Sequence, residues 1–278
     1  MILGGFFQRV KTISPDEVRT FIKTKSTAEY CLLDVRQPAE YEQEHIPGAK
    51  LIPLNELPAN LSRVNSGQRI IVYCRSGNRS RSGVGILNGA GFDDVYNMEG
   101  GMLAYNGLVA AGPPEAGVFC FPGNMAPEEL TAMAWYIEDG SQKFFDTVSG
   151  MSADQEVKKT LASLVGYKND HKEALTGLYQ RISGKPAADE FPGGILNKPP
   201  GDVMAGCVSV PEAVRWARDR GISDILDLMM ALEANTLDLY LKLGRQVASD
   251  QAKAAFSKLA GEEVQHLDRL AAVFEKTL

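Results

Sequence analysis

Cys74 lies in the stretch Arg69-Ile-Ile-Val-Tyr-Cys74-Arg-Ser-Gly-Asn-Arg79-Ser80, whose residue types are those that a reactive thiol needs. The apolar run from Ile70 to Tyr73 predicts a buried strand that delivers Cys74 into a Gly-containing loop, and a helical pattern begins near Arg79. A thiol in that position faces loop amides and a helix N-terminus. N–H dipoles and the charges of Arg75 and Arg79 would then stabilise its anion. The same cradle, Arg75, Ser76, Gly77, Asn78, Arg79 and Ser80, would hold a persulfide on Cys74. The plain alternative is a buried strand-end cysteine, the usual fate of a lone Cys. The Gly, Asn and Arg residues around it would be wasted on a core position, which favours the reactive reading.

A second group of ionisable residues lies in the C-terminal half. Glu138 sits within an apolar stripe formed by Leu130, Met133, Ala134, Ile137, Phe144, Phe145 and Val148. Lys168 and His171 share a helical face with Leu161, Leu164, Leu175 and Leu178. Glu233 accompanies Ile225, Leu228, Met229, Leu232 and Tyr240, and Glu263-x-x-His266 accompanies Phe256, Leu259, Leu270 and Val273. Glu138 and Glu233, Phe145 and Tyr240, Lys168 and Glu263, and His171 and His266 are each 95 positions apart (233 minus 138, for instance). A two-helix unit is therefore duplicated. A carboxylate inside an apolar stripe needs a partner, and Glu-x-x-His spacing puts both side chains on one face where they could meet a metal pair.

The elements that must carry these residues follow from the rest of the chain. Its 278 residues are enough for two domains. Ser14-Pro15-Asp16-Glu17 starts a helix to about Lys23, Cys31 to Arg36 reads as a strand, and Pro38 opens a short helix through Glu44. Leu51 and Ile52 form a strand, Leu54 to Val64 looks helical, a helix spans Ser80 to Ala90, and Val95-Tyr96 starts a last strand. This alternation predicts an α/β domain, a parallel sheet flanked by helices, over residues 1–111. Gly and Pro interrupt residues 112–126, which read as a linker. Residues 127–278 read as all-α: after the first stripe come helices over Thr160 to Tyr179, Asp224 to Leu243 and Ala252 to Phe274. A long crossover from Ser183 to Gly221 carries a short helix near Glu212 to Arg218, and the whole predicts a four-helix bundle.

Composition narrows the function classes. A formal charge of -6 gives no electrostatic reason to expect a nucleic-acid partner. Cys31, Cys74, Cys120 and Cys207 lie far apart without C-x-x-C spacing, so neither a zinc knuckle nor a disulfide scaffold is indicated. Cys120 could resolve or accept sulfur from Cys74, though a small packed hydrophobe is the better reading. Met1 to Phe7 is too short for a signal segment and no apolar run reaches bilayer length, so a cytoplasmic protein without a membrane partner is expected.

The N-terminal pattern resembles the rhodanese-type sulfurtransferases over nearly all of residues 10–110. The resemblance rests on Cys74 to Arg79, Asp34-Val-Arg36, Glu40-Tyr41, His45-Ile-Pro-Gly-Ala49 and Glu99-Gly-Gly101. It implies that Asp34 and Arg36 lie close to the loop and help to fix it, and that a small sulfur donor and a thiol acceptor are the partners, with no cofactor required. Glu44 and Tyr105 stand where the family usually has Gly and Trp, and neither touches the cradle. His45 reads as a structural hydrogen-bonding residue. Phosphatases with a Cys-loop-Arg cradle place five residues between Cys and Arg, whereas this chain has four, a ring better suited to sulfur than to phosphate.

The C-terminal pattern is similar to the rubrerythrin branch of the ferritin-like di-iron carboxylate bundles, which implies Glu138, His171, Glu233, Glu263 and His266 as metal ligands. The rubredoxin-type C-x-x-C pairs are absent. Lys168 replaces the expected Glu, and an ammonium cannot ligate. The resemblance thus implies a degenerate iron site holding one ion or a weakly held pair, with a metal-free salt-bridged core as the alternative and room for a homodimer. The expected function is a sulfurtransferase with a persulfide on Cys74 fused to this bundle. A persulfide or redox sensing module and a non-haem iron peroxidase-like protein are the alternatives.

Overall fold

The computed structural model describes residues 10–26, 28–111, 125–152, 154–187, 190–196 and 200–277. It divides into two compact units, Met1–Leu108 and Val109–Leu278. The boundary falls just ahead of the linker expected over 112–126. Most of that linker, with Cys120, lies outside the described residues.

The first unit runs β1 (Thr12–Ile13), α1 (Pro15–Thr24), β2 (Tyr30–Asp34), α2 (Pro38–Gln43), β3 (Lys50–Leu51), β4 (Arg69–Tyr73), α3 (Asn78–Gly89), β5 (Val95–Met98) and α4 (Gly101–Ala104). The strands form one parallel sheet in the order β1-β5-β4-β2-β3. Every residue of β2 is buried, and so are the last four of β4, as expected of strands covered on both faces. Leu33, Val35, Ile52, Leu57, Ile70, Val72, Val84 and Leu87 share one core. The start of α1 follows from its sequence: the Ser14 hydroxyl accepts from the Glu17 amide at 3.2 Å and the Glu17 carboxylate accepts from the Ser14 amide at 2.9 Å.

Two details differ from the sequence reading. The helix expected over Leu54 to Val64 is only a pair of 3₁₀ turns, Leu57–Ala59 and Leu61–Arg63. Pro58 would remove a donor from the interior of any longer helix there. Strand β1 is two residues long and carries no periodicity; it exists because Thr12 and Ile13 pair with Asn97 and Met98.

The second unit comprises α5 (Pro127–Met151), α6 (Gln155–Ser183), β6 (Val203–Met204), β7 (Val208–Ser209), α7 (Val210–Ala217), α8 (Ile222–Gln246) and α9 (Asp250–Phe274). Helices α5 and α6 pack together, as do α8 and α9, and α6 meets α9 while α5 meets α8. Phe144, Phe145, Leu161, Leu164, Leu226, Met229 and Leu270 are buried between them. Antiparallel strands β6 and β7 were not legible in the crossover, being too short for an alternation to register. Cys207 is disulfide-bonded, which the cysteine spacing did not indicate. No helix among the described residues is long and apolar enough to cross a membrane.

Helix α5 passes so close to β6 that a Cβ added to Gly140 would lie 2.1 Å from the Val203 carbonyl oxygen. Gly140→Ala is expected to destabilise the second unit by about 1–3 kcal/mol through forced overpacking against backbone. A denaturant midpoint unchanged from the parent would contradict that contact.

Candidate functional site

Strand β4 ends at Tyr73, and the chain turns through Cys74 to Gly77 before α3 begins at Asn78. The turn curls the backbone around the sulfur. The Gly77 amide donates to Cys74 Sγ at 3.1 Å and the Ser80 hydroxyl lies 3.4 Å away. Burial pushes the Cys74 thiol up, but hydrogen bonds from the Ser80 hydroxyl and the amides of Ser80, Ser76 and Gly77 outweigh it, so the thiol lies below its ordinary range. Cys74 is 1% exposed, at the floor of the loop, so a donor must reach the sulfur through the ring.

Gly101 holds this loop from below. The Met102 amide donates to the Cys74 carbonyl at 2.9 Å and the Leu103 amide to the Arg75 carbonyl at 3.0 Å. The approach is close enough that a Cβ on Gly101, whose φ is +58°, would lie 2.2 Å from the Cys74 oxygen. That is the physical reason for Gly at this position in the Glu99-Gly-Gly101 run.

Asp34 and Arg36 lie beside the end of β4, Asp34 in register with Tyr73. They are 0% and 3% exposed, and the Arg36 guanidinium forks onto both Asp34 oxygens at 2.7–3.0 Å while also donating to the Glu44 carbonyl at 2.7 Å. Burial pushes the Arg36 guanidinium down, but its bonds to Asp34 more than offset this. The Val35 amide donates to the Tyr73 carbonyl at 3.1 Å, which ties this pair to the strand that carries Cys74. His45 is fully buried, stacked on Tyr41 with ring centroids 3.7 Å apart, and its Nδ1 lies 2.9 Å from the Tyr41 carbonyl oxygen. It serves the framework.

The two loop arginines differ. Arg79 donates from both terminal nitrogens to the two oxygens of Glu40 at 2.7 Å, and this bond holds the Glu40 carboxyl down at about 2. Arg75 is exposed. A cleft of roughly 300 Å³ beside the loop is lined by Arg36, Glu40, Glu44, Arg75, Met102 and Leu103. Sequence reasoning counted Glu40 among the resemblance motifs but not as a partner of Arg79, because α2 and α3 meet only through the fold.

In the second unit the duplicated residues do converge. Lys168 Nζ, fully buried, lies 3.0 Å from Glu138 Oε2, 2.7 Å from Glu233 Oε2 and 3.0 Å from Glu263 Oε1. His171 Nδ1 lies 3.0 Å from Glu138 Oε1 and 3.3 Å from Glu263 Oε1, and His266 Nδ1 lies 3.1 Å from Glu263 Oε2. Burial pushes the Glu138 carboxyl up, and the Lys168 and His171 charges override it, leaving it well below its usual range. Burial also pushes His171 down, yet Glu138 and Glu263 raise it to about 10. Burial is the main reason that His266 falls to about 4.

The two halves of the repeat are not chemically equal. Tyr240 donates to Glu138 Oε1, whereas the corresponding position for Glu233 is Phe145, which has no hydroxyl. Glu233 Oε1 accordingly has no hydrogen-bond partner, and burial together with the neighbouring Glu263 charge pushes this carboxyl well above its usual range. Sequence reasoning missed Tyr240 as a partner, although the 95-residue offset from Phe145 was the signal. It also missed Glu262, whose Oε2 lies 3.2 Å from His171 Nε2.

Comparison with known proteins accounts for the first unit. The Rhodanese-like domain family matches residues 14–108. A protein named sulfurtransferase from Allochromatium vinosum is 35% identical over 89 residues, 31% of this chain and 83% of its own. The probable adenylyltransferase/sulfurtransferase MoeZ of Mycobacterium tuberculosis is 33% identical over 34% of this chain, and that match spans only 24% of the relative. The crystal structure of a rhodanese-like domain protein from Staphylococcus aureus is 34% identical and covers 35% of this chain and 92% of its own, with a TM-score of 0.33. Through residues 14–108, the chain belongs to the rhodanese-like domain family.

Proposed function

We propose that the first unit is a sulfurtransferase that carries sulfane sulfur as a persulfide on Cys74. The observation that carries this reading is the convergence of the Gly77 amide and the Ser80 hydroxyl on a sulfur drawn below its ordinary pKa. With thiosulfate as donor, the Cys74 thiolate attacks the sulfane sulfur and the S–S bond breaks. Sulfite leaves with the bonding pair. An acceptor thiolate then attacks the terminal sulfur of the persulfide, and the Cys74 thiolate departs, so no outside oxidant or reductant is consumed. The loop amides stabilise the sulfur anion at both stages, and exposed Arg75 supplies charge for an anionic donor.

The helical unit reads as a ferritin-like bundle. Its support is the 95-residue duplication and the meeting of Glu138, Lys168, His171, Glu233, Glu263 and His266 in one buried cluster. A reducing cytoplasm suits the working thiol of the first unit, although the disulfide at Cys207 is less at home there.

Cyanide-dependent thiocyanate formation from thiosulfate is expected for the native chain and is expected to vanish in Cys74→Ser. Equal turnover in the variant would refute the assignment, and a persulfide detectable by mass without turnover would favour a sensing role instead. The rate of Cys74 alkylation should rise with pH through a midpoint below the roughly 8.5 of free cysteine, since the thiolate is the reacting species. A midpoint at or above that value would remove the proposed amide stabilisation. Glu40→Gln should release Arg79 toward the donor and lower KM for thiosulfate by roughly threefold to tenfold, with the gain shrinking at high salt. An unchanged KM would mean that the ion pair does not restrain Arg79.

A further inference from the structure

We propose that Glu44 and Arg75 bind the two charged ends of a small peptide-type thiol, so that the sulfur acceptor of Cys74 carries both a free ammonium and a carboxylate, with Glu44 as the residue that selects it. The proposal rests on the reading of Cys74 as the sulfur carrier and names the class of molecule to which that sulfur passes. The cleft beside the Cys74 loop is lined by the charged side chains of Arg36, Glu40, Glu44 and Arg75. The first two are committed within the fold. Arg36 forks onto Asp34 at 2.7–3.0 Å, and both oxygens of Glu40 accept from Arg79 at 2.7 Å. Glu44 and Arg75 are exposed, and neither side chain makes a hydrogen bond or an ion pair to another described residue. One carboxylate and one guanidinium are thus left for an incoming molecule.

That pair discriminates between ligands by charge. A sulfur oxyanion such as thiosulfate is drawn by Arg75 and repelled by Glu44, so the mouth as a whole offers it little net attraction. A molecule with a carboxylate at one end and an ammonium at the other gains from both residues. Size and polarity agree with this. The cleft holds about 300 Å³, within the range of sites that take small organic molecules and far more than an oxyanion fills. Leu103, the most exposed large hydrophobic side chain among the described residues at 71%, and Met102 give it an apolar wall against which methylene groups can lie. Held there by its ends, the acceptor attacks the outer sulfur of the Cys74 persulfide with its thiolate. A new S–S bond forms, the bond to Cys74 breaks, and the Cys74 thiolate leaves with the bonding pair, so the acceptor departs as a persulfide and no outside oxidant or reductant is consumed.

Sulfite release from thiosulfate by the full chain, with glutathione as acceptor and then with N-acetylglutathione, isolates the ammonium, because the two probes differ only at a nitrogen remote from the thiol. In the native chain kcat/KM for glutathione should exceed that for its N-acetyl derivative by roughly threefold to tenfold, with the gap shrinking as salt rises. Glu44→Gln should close the gap. The same variant should lower KM for thiosulfate when cyanide is the acceptor, a gain that a misfolded chain could not show. Equal kcat/KM for the two thiols in the native chain would overturn the proposal, as would a preference for the N-acetyl form or a gap that survives Glu44→Gln. Native turnover with cyanide but with neither thiol would also overturn it and point to an acceptor outside this class. Absence of native turnover even with cyanide would overturn the reading of Cys74 and this proposal with it, so the two failures are told apart by the cyanide assay.

Discussion

A charge taken out of water must be answered by opposite charge or by aligned N–H groups within a few ångströms, and both halves of this chain are arranged around that constraint. In the first unit the carboxylate of Asp34 is answered by the fork of Arg36, and the Cys74 sulfur by the Gly77 amide and the Ser80 hydroxyl. In the second the ammonium of Lys168 is answered by three acids at once. Removing Arg36 or Lys168 would leave carboxylates buried without that counter-charge, so these cations fix the packing around them.

The electrostatics of the Cys74 loop come from geometry more than from the number of arginines near it. Arg79 is committed to Glu40, so its charge reaches the loop already paired, while Arg75 stands open to solvent beside the cleft formed with Met102 and Leu103. Stabilisation of the sulfur falls to the Ser80 hydroxyl and to the main-chain amides of Ser76, Gly77 and Ser80, of which the amides do not move with a side-chain rotamer. The close approach of Gly101 beneath the Cys74 and Arg75 carbonyls holds those amides in their orientation. Low thiol pKa and a rigid ring thus have the same origin.

The helical unit shows how a duplication can preserve shape and change chemistry. Helices α5 and α6 repeat as α8 and α9, and the apolar positions keep the pairing of faces. Two of the repeated positions diverged: Phe145 against Tyr240, and Lys168 against Glu263. The first leaves Glu233 Oε1 without a donor, and the second puts a fixed positive charge where its counterpart is negative. An approximately symmetric scaffold therefore holds an asymmetric centre.

Periodicity and local chemistry determined most of the architecture from the sequence alone. The buried strand before Cys74, the helix start at Ser14, the four long helices and the 95-residue offset are written in neighbouring residue types, because helix and strand faces repeat at fixed intervals. The inward positions of Glu138, His171, Glu233, Glu263 and His266 followed from their place on apolar stripes. Only the tertiary structure decided who meets whom: the Arg79 pair with Glu40, the Tyr240 hydroxyl on Glu138, the Pro-limited turns after Ile52, the short strands that exist through pairing, and the disulfide at Cys207. Local pattern fixes which face of an element is buried, but the partner across the core is chosen by packing between elements distant in the chain, and no interval in the sequence encodes that distance.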